Sequence, residues 1–144
     1  MMSPIELLHA REEELERQMT WLVELIDHSS GDARALDLEL QLSRVVGQWR
    51  AMLVLRDKLV YRPAAKHSDR DRATMAAACQ QRMEALAEQV EEFARRWSSS
   101  ALIATAFPNF RATALVLVAA MTARLDRERR LLGEPPAEPA RLVA

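Results

Sequence analysis

The sequence predicts an all-α protein, an antiparallel up-down-up-down four-helix bundle, on three observations. Ala, Leu, Glu and Arg are abundant, while the chain has only 3 Gly and one Tyr, a balance that disfavours a sandwich or barrel. Four long stretches carry apolar residues at alternating steps of three and four, the spacing of one buried helix face. Short breaks of Gly, Pro and Ser separate these stretches, and short connections make consecutive helices antiparallel.

The elements follow in order. Ser3-Pro4-Ile5-Glu6 opens the first helix, with a hydroxyl cap, Pro at the first helical position and Glu three residues after the cap. It should run to about His28–Ser30, with Gly31 closing it in the left-handed conformation. Asp32 is the expected cap of the second helix, which reads on to Tyr61 and stops before Pro63. Gly47 inside it is either a modest helix penalty or a mark of close approach by a neighbour. Ser68 is the expected cap of the third, with Asp69 and Asp71 at the positive end of its dipole, and the helix continues to about Trp97. Residues 98–100 break the chain, 101–106 form a short turn, and Pro108 starts or kinks the fourth helix, which ends near Leu132-Gly133. Residues 1–133 thus form the bundle domain and 134–144 a Pro-rich tail expected to fray.

The predicted seams leave informative gaps. They run Ile5, Leu8, Leu15, Met19, Leu22, Ile26 in helix one and Leu38, Leu42, Val45, Trp49, Met52, Leu59 in helix two. Helix three gives Met75, Cys79, Met83, Leu86, Val90, Phe93, Trp97, and helix four gives Phe110, Ala114, Leu117, Met121, Leu131. The positions that break the pattern hold Glu12, Arg56, Arg124 and Glu128. In an up-down bundle all four fall in one layer near one pole. Charges on a core stripe are costly unless paired. Two placements are open: an inward cluster, or a flank position with the chains snorkelling.

Composition excludes several classes. Lys plus Arg number 20 against 21 Asp plus Glu, a net charge of -1, which argues against a general nucleic-acid binder. The single Cys79 excludes an internal disulfide and a multi-cysteine metal site, and favours a reducing compartment. The acidic start is unlike a signal peptide. The longest apolar run, Ala112 to Ala123, is interrupted by Thr113 and Thr122 and too short to span a bilayer. A cytoplasmic protein without membrane attachment is expected. The remaining candidates are weak. Glu6-x-x-His9 is one copy of a spacing that carboxylate-bridged sites use twice, and His9 with Glu13 could grip an adventitious metal. His28 suits a helix C-terminus, His67 a loop, and Cys79 an inert core thiol. Arg95-Arg96 and the run from Arg124 to Arg130 are basic, but acidic residues interleave the second. No nucleophile elbow or phosphate-cradling loop is present, and no enzyme activity is expected.

Leu53-Val54-Leu55-Arg56-Asp57-Lys58-Leu59-Val60-Tyr61, closing at Pro63, resembles the end of the second helix in bacterial hemerythrin-like (HHE cation-binding) domains. The likeness continues through Met83-Glu84, Phe93, Trp97, Ile103, Phe107 and Phe110, and ends with Ala123-Arg124-Leu125-Asp126-Arg127-Glu128-Arg129. It spans almost the whole chain. The resemblance implies a di-iron centre held by His and carboxylates from four helices, but the ligand positions differ. The second-helix His falls at Met52 and the Glu a turn later at Arg56; the fourth-helix His falls at Arg124, while Glu128 matches the family Glu. The first-helix His falls near Glu12 and the third-helix His near Cys79 to Met83. Arg56 and Arg124 would put positive charge where cations sit, so the resemblance implies a lost iron site and no cofactor. Arg56 and Arg124 are then expected to pair with Glu12 and Glu128.

Three functions follow as expectations. The first is a metal-free, non-catalytic hemerythrin-like bundle that binds a protein partner or a small apolar ligand. The second is an iron-dependent oxygen-binding or redox protein with a reduced ligand set of Glu12, Glu128 and His9. The third is an oligomerisation or adaptor module, in which an exposed apolar strip on one helix docks a second copy to give a homodimer.

Overall fold

The computed structural model describes residues 1–29 and 34–133. All regular structure among them is helical: α1 (Pro4–Asp27), α2 (Ala35–Arg56), α3 (Arg62–Ala65), α4 (Arg70–Arg96), α5 (Ser100–Thr105) and α6 (Phe107–Leu131), with a π-helical segment, Asp57–Tyr61, joining α2 to α3.

Local chemistry sets the helix ends. At the start of α1 the Ser3 hydroxyl accepts the Glu6 amide at 3.2 Å, and the Glu6 carboxylate accepts the Ser3 amide at 2.7 Å, the reciprocal box read from the sequence. At its far end His28 turns Nδ1 to the Glu24 carbonyl at 2.8 Å, covering one of the last orphan acceptors. The closing and capping roles expected of Gly31 and Asp32 fall outside the described residues, as does the tail 134–144.

Three expected boundaries are corrected. The cap of α4 is Asp69, not Ser68: its carboxylate accepts the amides of Asp71 at 2.9 Å and Arg72 at 3.4 Å, and it adds negative charge at the dipole's positive end. The expected turn at 101–106 is instead the helix Ser100–Thr105, because the Ser99 hydroxyl caps it through the Leu102 amide at 3.4 Å; Pro108 then lies in the first turn of α6. Pro63 does not end the second long helix. The wider π turn, with the Arg62 amide donating to the Asp57 carbonyl five residues back, carries the chain across the proline and on to Ala65.

Side-chain pairs fix how the long helices run. Gln41 of α2 reaches the Gln18 carbonyl and side chain, and Arg56 reaches Glu12, so α1 and α2 are antiparallel. Arg50 with Glu91, and Glu39 with the Ser100 amide just beyond the end of α4, set α2 against α4 in the same sense. Cys79 with Arg124, and Phe93 against Phe110, oppose α4 and α6; Asp27 with Arg111, and Glu12 with Arg129, oppose α1 and α6.

The core between them follows most of the predicted seams. Ile5, Met75 and Leu131 are exceptions, at 39%, 40% and 38% exposure. In α6 the phase slips by one: Val118, Leu125 and Leu132 are buried, while Leu117 is only half-buried. At 100° per residue the buried positions 110, 114, 118, 121, 125, 128 and 132 span an arc of about 80° that begins at Phe110, and Leu117 falls about 20° outside it. Phe93, Trp97, Phe107 and Phe110 close the pole where α4 ends and α6 begins, with the Trp97 and Phe110 rings 5.3 Å apart, edge to face. No described helix is long and apolar enough to cross a membrane.

The cap assignment has a direct consequence. Asp69→Ala should lower stability by about 1 kcal/mol, while Ser68→Ala leaves the urea midpoint almost unchanged. The reverse order in chemical denaturation would return the cap to Ser68.

Candidate functional site

One layer concentrates the polar chemistry of the interior. Glu12 comes from the third turn of α1, Arg56 from the last turn of α2, and Glu128 from the last turns of α6; all three are 0% exposed. The 3-4 rhythm of each helix carries these residues inward between apolar neighbours: Leu8 and Leu15 around Glu12, Met52 before Arg56, Leu125 and Leu132 around Glu128. The inward placement therefore holds for these three.

The π segment adds a fourth member. In a regular α-helix the residue four positions after Arg56, Val60, would share its face. The wider turn places the fifth, Tyr61, there instead, 4% exposed, while Val60 is only half-buried. The Tyr61 hydroxyl accepts Arg56 Nε at 3.3 Å and donates to Glu128 Oε1 at 2.5 Å.

Arg56 is the centre. Its Nη1 meets Glu12 Oε2 at 2.8 Å and its Nη2 meets Glu128 Oε1 at 2.9 Å, so one planar guanidinium bridges carboxylates from two other helices. Arg124 lies at the margin, 10% exposed in its side chain, with Nε 3.1 Å from Glu128 Oε2 and Nη2 3.9 Å from the buried Cys79 sulfur. The second cation on Glu12 is Arg129, whose Nε and Nη2 lie 3.3 and 3.2 Å from Oε1. Its outer nitrogen reaches Asp126 at 3.1 Å and Glu16 at 3.5 Å. The expected pairing thus forms with a different distribution: Arg56 serves both carboxylates, and Arg129, read in the sequence as part of a basic run, completes the layer. Arg129 lies just past the edge of the buried arc of α6, next to Glu128, and periodicity alone does not single it out.

The electrostatics follow from burial. Desolvation pushes the Glu128 carboxyl above its ordinary value, against the lowering influence of Tyr61, Arg56 and Arg124. Desolvation also raises the Tyr61 phenol, which stays protonated as a donor. Glu16, half in solvent, is raised by burial too, with Arg129 opposing.

Met52, Cys79 and Met83 are buried in the apolar core, and only Cys79 makes a polar contact with the layer. His9 is half-buried a turn before Glu12, with Nε2 out of solvent and without a hydrogen-bond partner. His67 accepts the Asp69 amide at 3.0 Å, a loop role. Among the described residues no three of His, Cys, Asp and Glu converge as a metal-binding group. No family model matches this chain, and no curated protein or solved structure does either.

Two measurements test the layer. Arg56→Met should cost about 3 to 5 kcal/mol, because it takes the bridging charge from two buried carboxylates and leaves Arg129, Tyr61 and Arg124 as their remaining neighbours. Glu12→Gln or Glu128→Gln in that background should recover part of the loss, and a double-mutant cycle by thermal unfolding should give clear coupling for both pairs. Additive effects would show that the three charges act independently. The second measurement concerns pH. Since Glu128 titrates above its unfolded-state value, the folded protein binds the extra proton, and the contribution of Glu128 to stability grows as pH falls through that raised value. Wild type should therefore gain on Glu128→Gln between neutral pH and pH near 5, seen as a shift in their Tm difference.

Proposed function

We propose that this chain is a hemerythrin-like four-helix bundle whose metal layer has become a guanidinium–carboxylate network, and that it works as a non-catalytic interaction module. The observation that carries the reading is the place of Arg56: its fixed positive charge bridges Glu12 and Glu128 with no exposure to solvent. Under the resemblance, position 56 is where a ligand Glu would stand, and position 52, now Met52, where a His would stand. The residues present do not suit a pair of iron ions. A guanidinium holds both carboxylates, and the nearby thioethers and thiol replace imidazoles, which are the ligands that suit such iron. Arginine sets a fixed positive charge between the two buried carboxylates and ties the helix ends together, the place the lost cations would otherwise take.

A sealed charge layer suits a scaffold better than a catalyst, because no solvent or substrate meets its reacting atoms. Binding then falls to the surface. For a small apolar ligand the described candidate is a cleft of about 190 Å³ lined by Ile5, Leu59, Val60 and Leu132, with His67 and Arg72 beside it.

The metal-dependent reading rests on Glu12, Glu128 and His9. His9 has an unpartnered nitrogen, but Arg56, Arg129 and Tyr61 already occupy oxygens of both carboxylates. Elemental analysis and a visible spectrum of protein purified without a metal-affinity tag decide between them. We expect iron far below one per chain and no oxo-bridged absorption. Near-stoichiometric iron that is lost in Glu12→Ala and Glu128→Ala would overturn the proposal.

A further inference from the structure

The outward face of α2 does not look like a solvated surface. Solvent faces of helices carry charge, as that of α4 does with Arg82, Glu88, Glu92 and Arg96, all exposed. On α2 the most exposed ridge reads Leu36, Leu40, Ser43, Gly47, Val54, within an arc of about 60° at 100° per residue. Leu36, Leu40 and Val54 are 60%, 48% and 55% exposed, and the neighbouring Trp21 of α1 is 50% exposed, its ring 5.8 Å from the Arg44 guanidinium. Gly47 sits at the middle of this ridge. A Cβ built there meets nothing within 4 Å, so the fold of one chain gives no reason for a glycine. A glycine in a helix interior costs about 0.5 to 1 kcal/mol against alanine, and here nothing in the same chain offsets it.

The ridge is symmetric about that glycine. Counting outward, Leu40 and Val54 are seven residues away on either side, and Ser43 and Ala51 four residues away. We propose that this face is a self-association surface, on which a second copy of the chain docks with its α2 antiparallel across a two-fold axis at Gly47. The axis brings Leu40 against Val54 of the second copy, Ser43 against Ala51, and glycine against glycine, where the absent side chains let the two backbones approach closely. It also carries Lys58 to Leu36 and Asp37 of the other copy, apolar stem on leucine and ammonium beside carboxylate, twice by symmetry. The like charges it opposes, Arg44 with Arg50 and Asp37 with Asp57, lie on the flanks, and Asp57 is already paired with Arg62 at 2.9 Å. Arg50 is already neutralised by Glu91 at 2.6 and 2.8 Å, and Arg44 is turned over Trp21.

The size is adequate. Leu36, Leu40, Val54 and Trp21 together expose on the order of 400 Å² of apolar surface, the scale of a patch that serves binding. Two such faces with their polar rims bury about 1,000 Å², the lower bound of a specific interface, so the dimer should be reversible. This deepens the interaction-module reading and rests on it by naming the partner.

The test is sedimentation of the full chain from low micromolar to several hundred micromolar. The expected result is a monomer of 16.3 kDa on dilution and twice that mass at high concentration. Gly47→Gln should weaken association at least about tenfold, or about 1.4 kcal/mol. It should also leave the dilute monomer as helical as before or more so, since Gln is the better helix former. Leu40→Glu with Val54→Glu should do the same, while Val116→Glu on the exposed face of α6 should not. A monomer throughout, or a dimer indifferent to Gly47→Gln, overturns the proposal. Iron measured on the same samples keeps the two readings apart: an iron-free monomer removes only the dimer, and an iron-loaded protein removes the module reading itself.

Discussion

The interior is organised around one guanidinium. Arg56 spans the gap between α1 and α6 and fixes both against the end of α2, through charge-assisted bonds of 2.8 and 2.9 Å. In a dry interior such a group is a constraint before it is a source of stability, since an apolar layer of equal volume could match or exceed it. What it supplies is directional. A bridging arginine requires two carboxylates at the right height on two partner helices, and this disfavours sliding of the helices along one another. The other residues of the layer answer to that requirement: Tyr61 shares Glu128 Oε1 with Arg56, Arg124 stands against the other Glu128 oxygen, Arg129 fills the remaining side of Glu12, and Asp126 and Glu16 hold Arg129 in turn.

The two poles of the molecule are held by different physics. Around Phe93, Trp97, Phe107 and Phe110 the packing is aromatic and indifferent to salt or proton concentration. The Arg56 pole is ionic and carries the titrating groups of the interior. A change of pH or of salt should therefore be felt first at the pole where α1 begins and α6 ends.

Much of this was legible in the sequence. The all-helical class, the capping box at Ser3, and the place of Glu12, Arg56 and Glu128 on the core stripes follow from periodicity and cap chemistry, while the choice between an inward layer and a flank needed the packed helices. So do the long seams of α1, α2 and α4. Two kinds of information were not local. The choice between Ser68 and Asp69 as cap depends on a backbone turn one residue wide, and both residues suit the role. The phase of α6 was obscured because its middle turns, from Ala112 to Ala123, are apolar on nearly all sides, so neither Leu117 nor Val118 stands out as the buried one. That slip gave Arg124 a more central place than it has, while Arg129, just past the edge of the buried arc, was hidden among its charged neighbours. Tyr61 was visible only as part of a resemblance; its role needed the π turn, which no spacing rule at constant period can reveal.

That turn has a further consequence for how the second long helix tolerates change. On either side of Asp57–Tyr61 the chain obeys two different phases, and the inward positions run 49, 52, 56, 61, 64 with a single step of five. Substitutions in the segment leave this count intact, but a length change does not. Removing one residue between Arg56 and Tyr61 would restore an even winding and keep the tyrosine inward. It would also re-aim the proline and draw the start of α4 back by one step. Adding one would turn the phenol away from Glu128 altogether. Sequence length in these few positions is therefore fixed more tightly than sequence identity, the opposite of what holds at most helix-to-loop junctions.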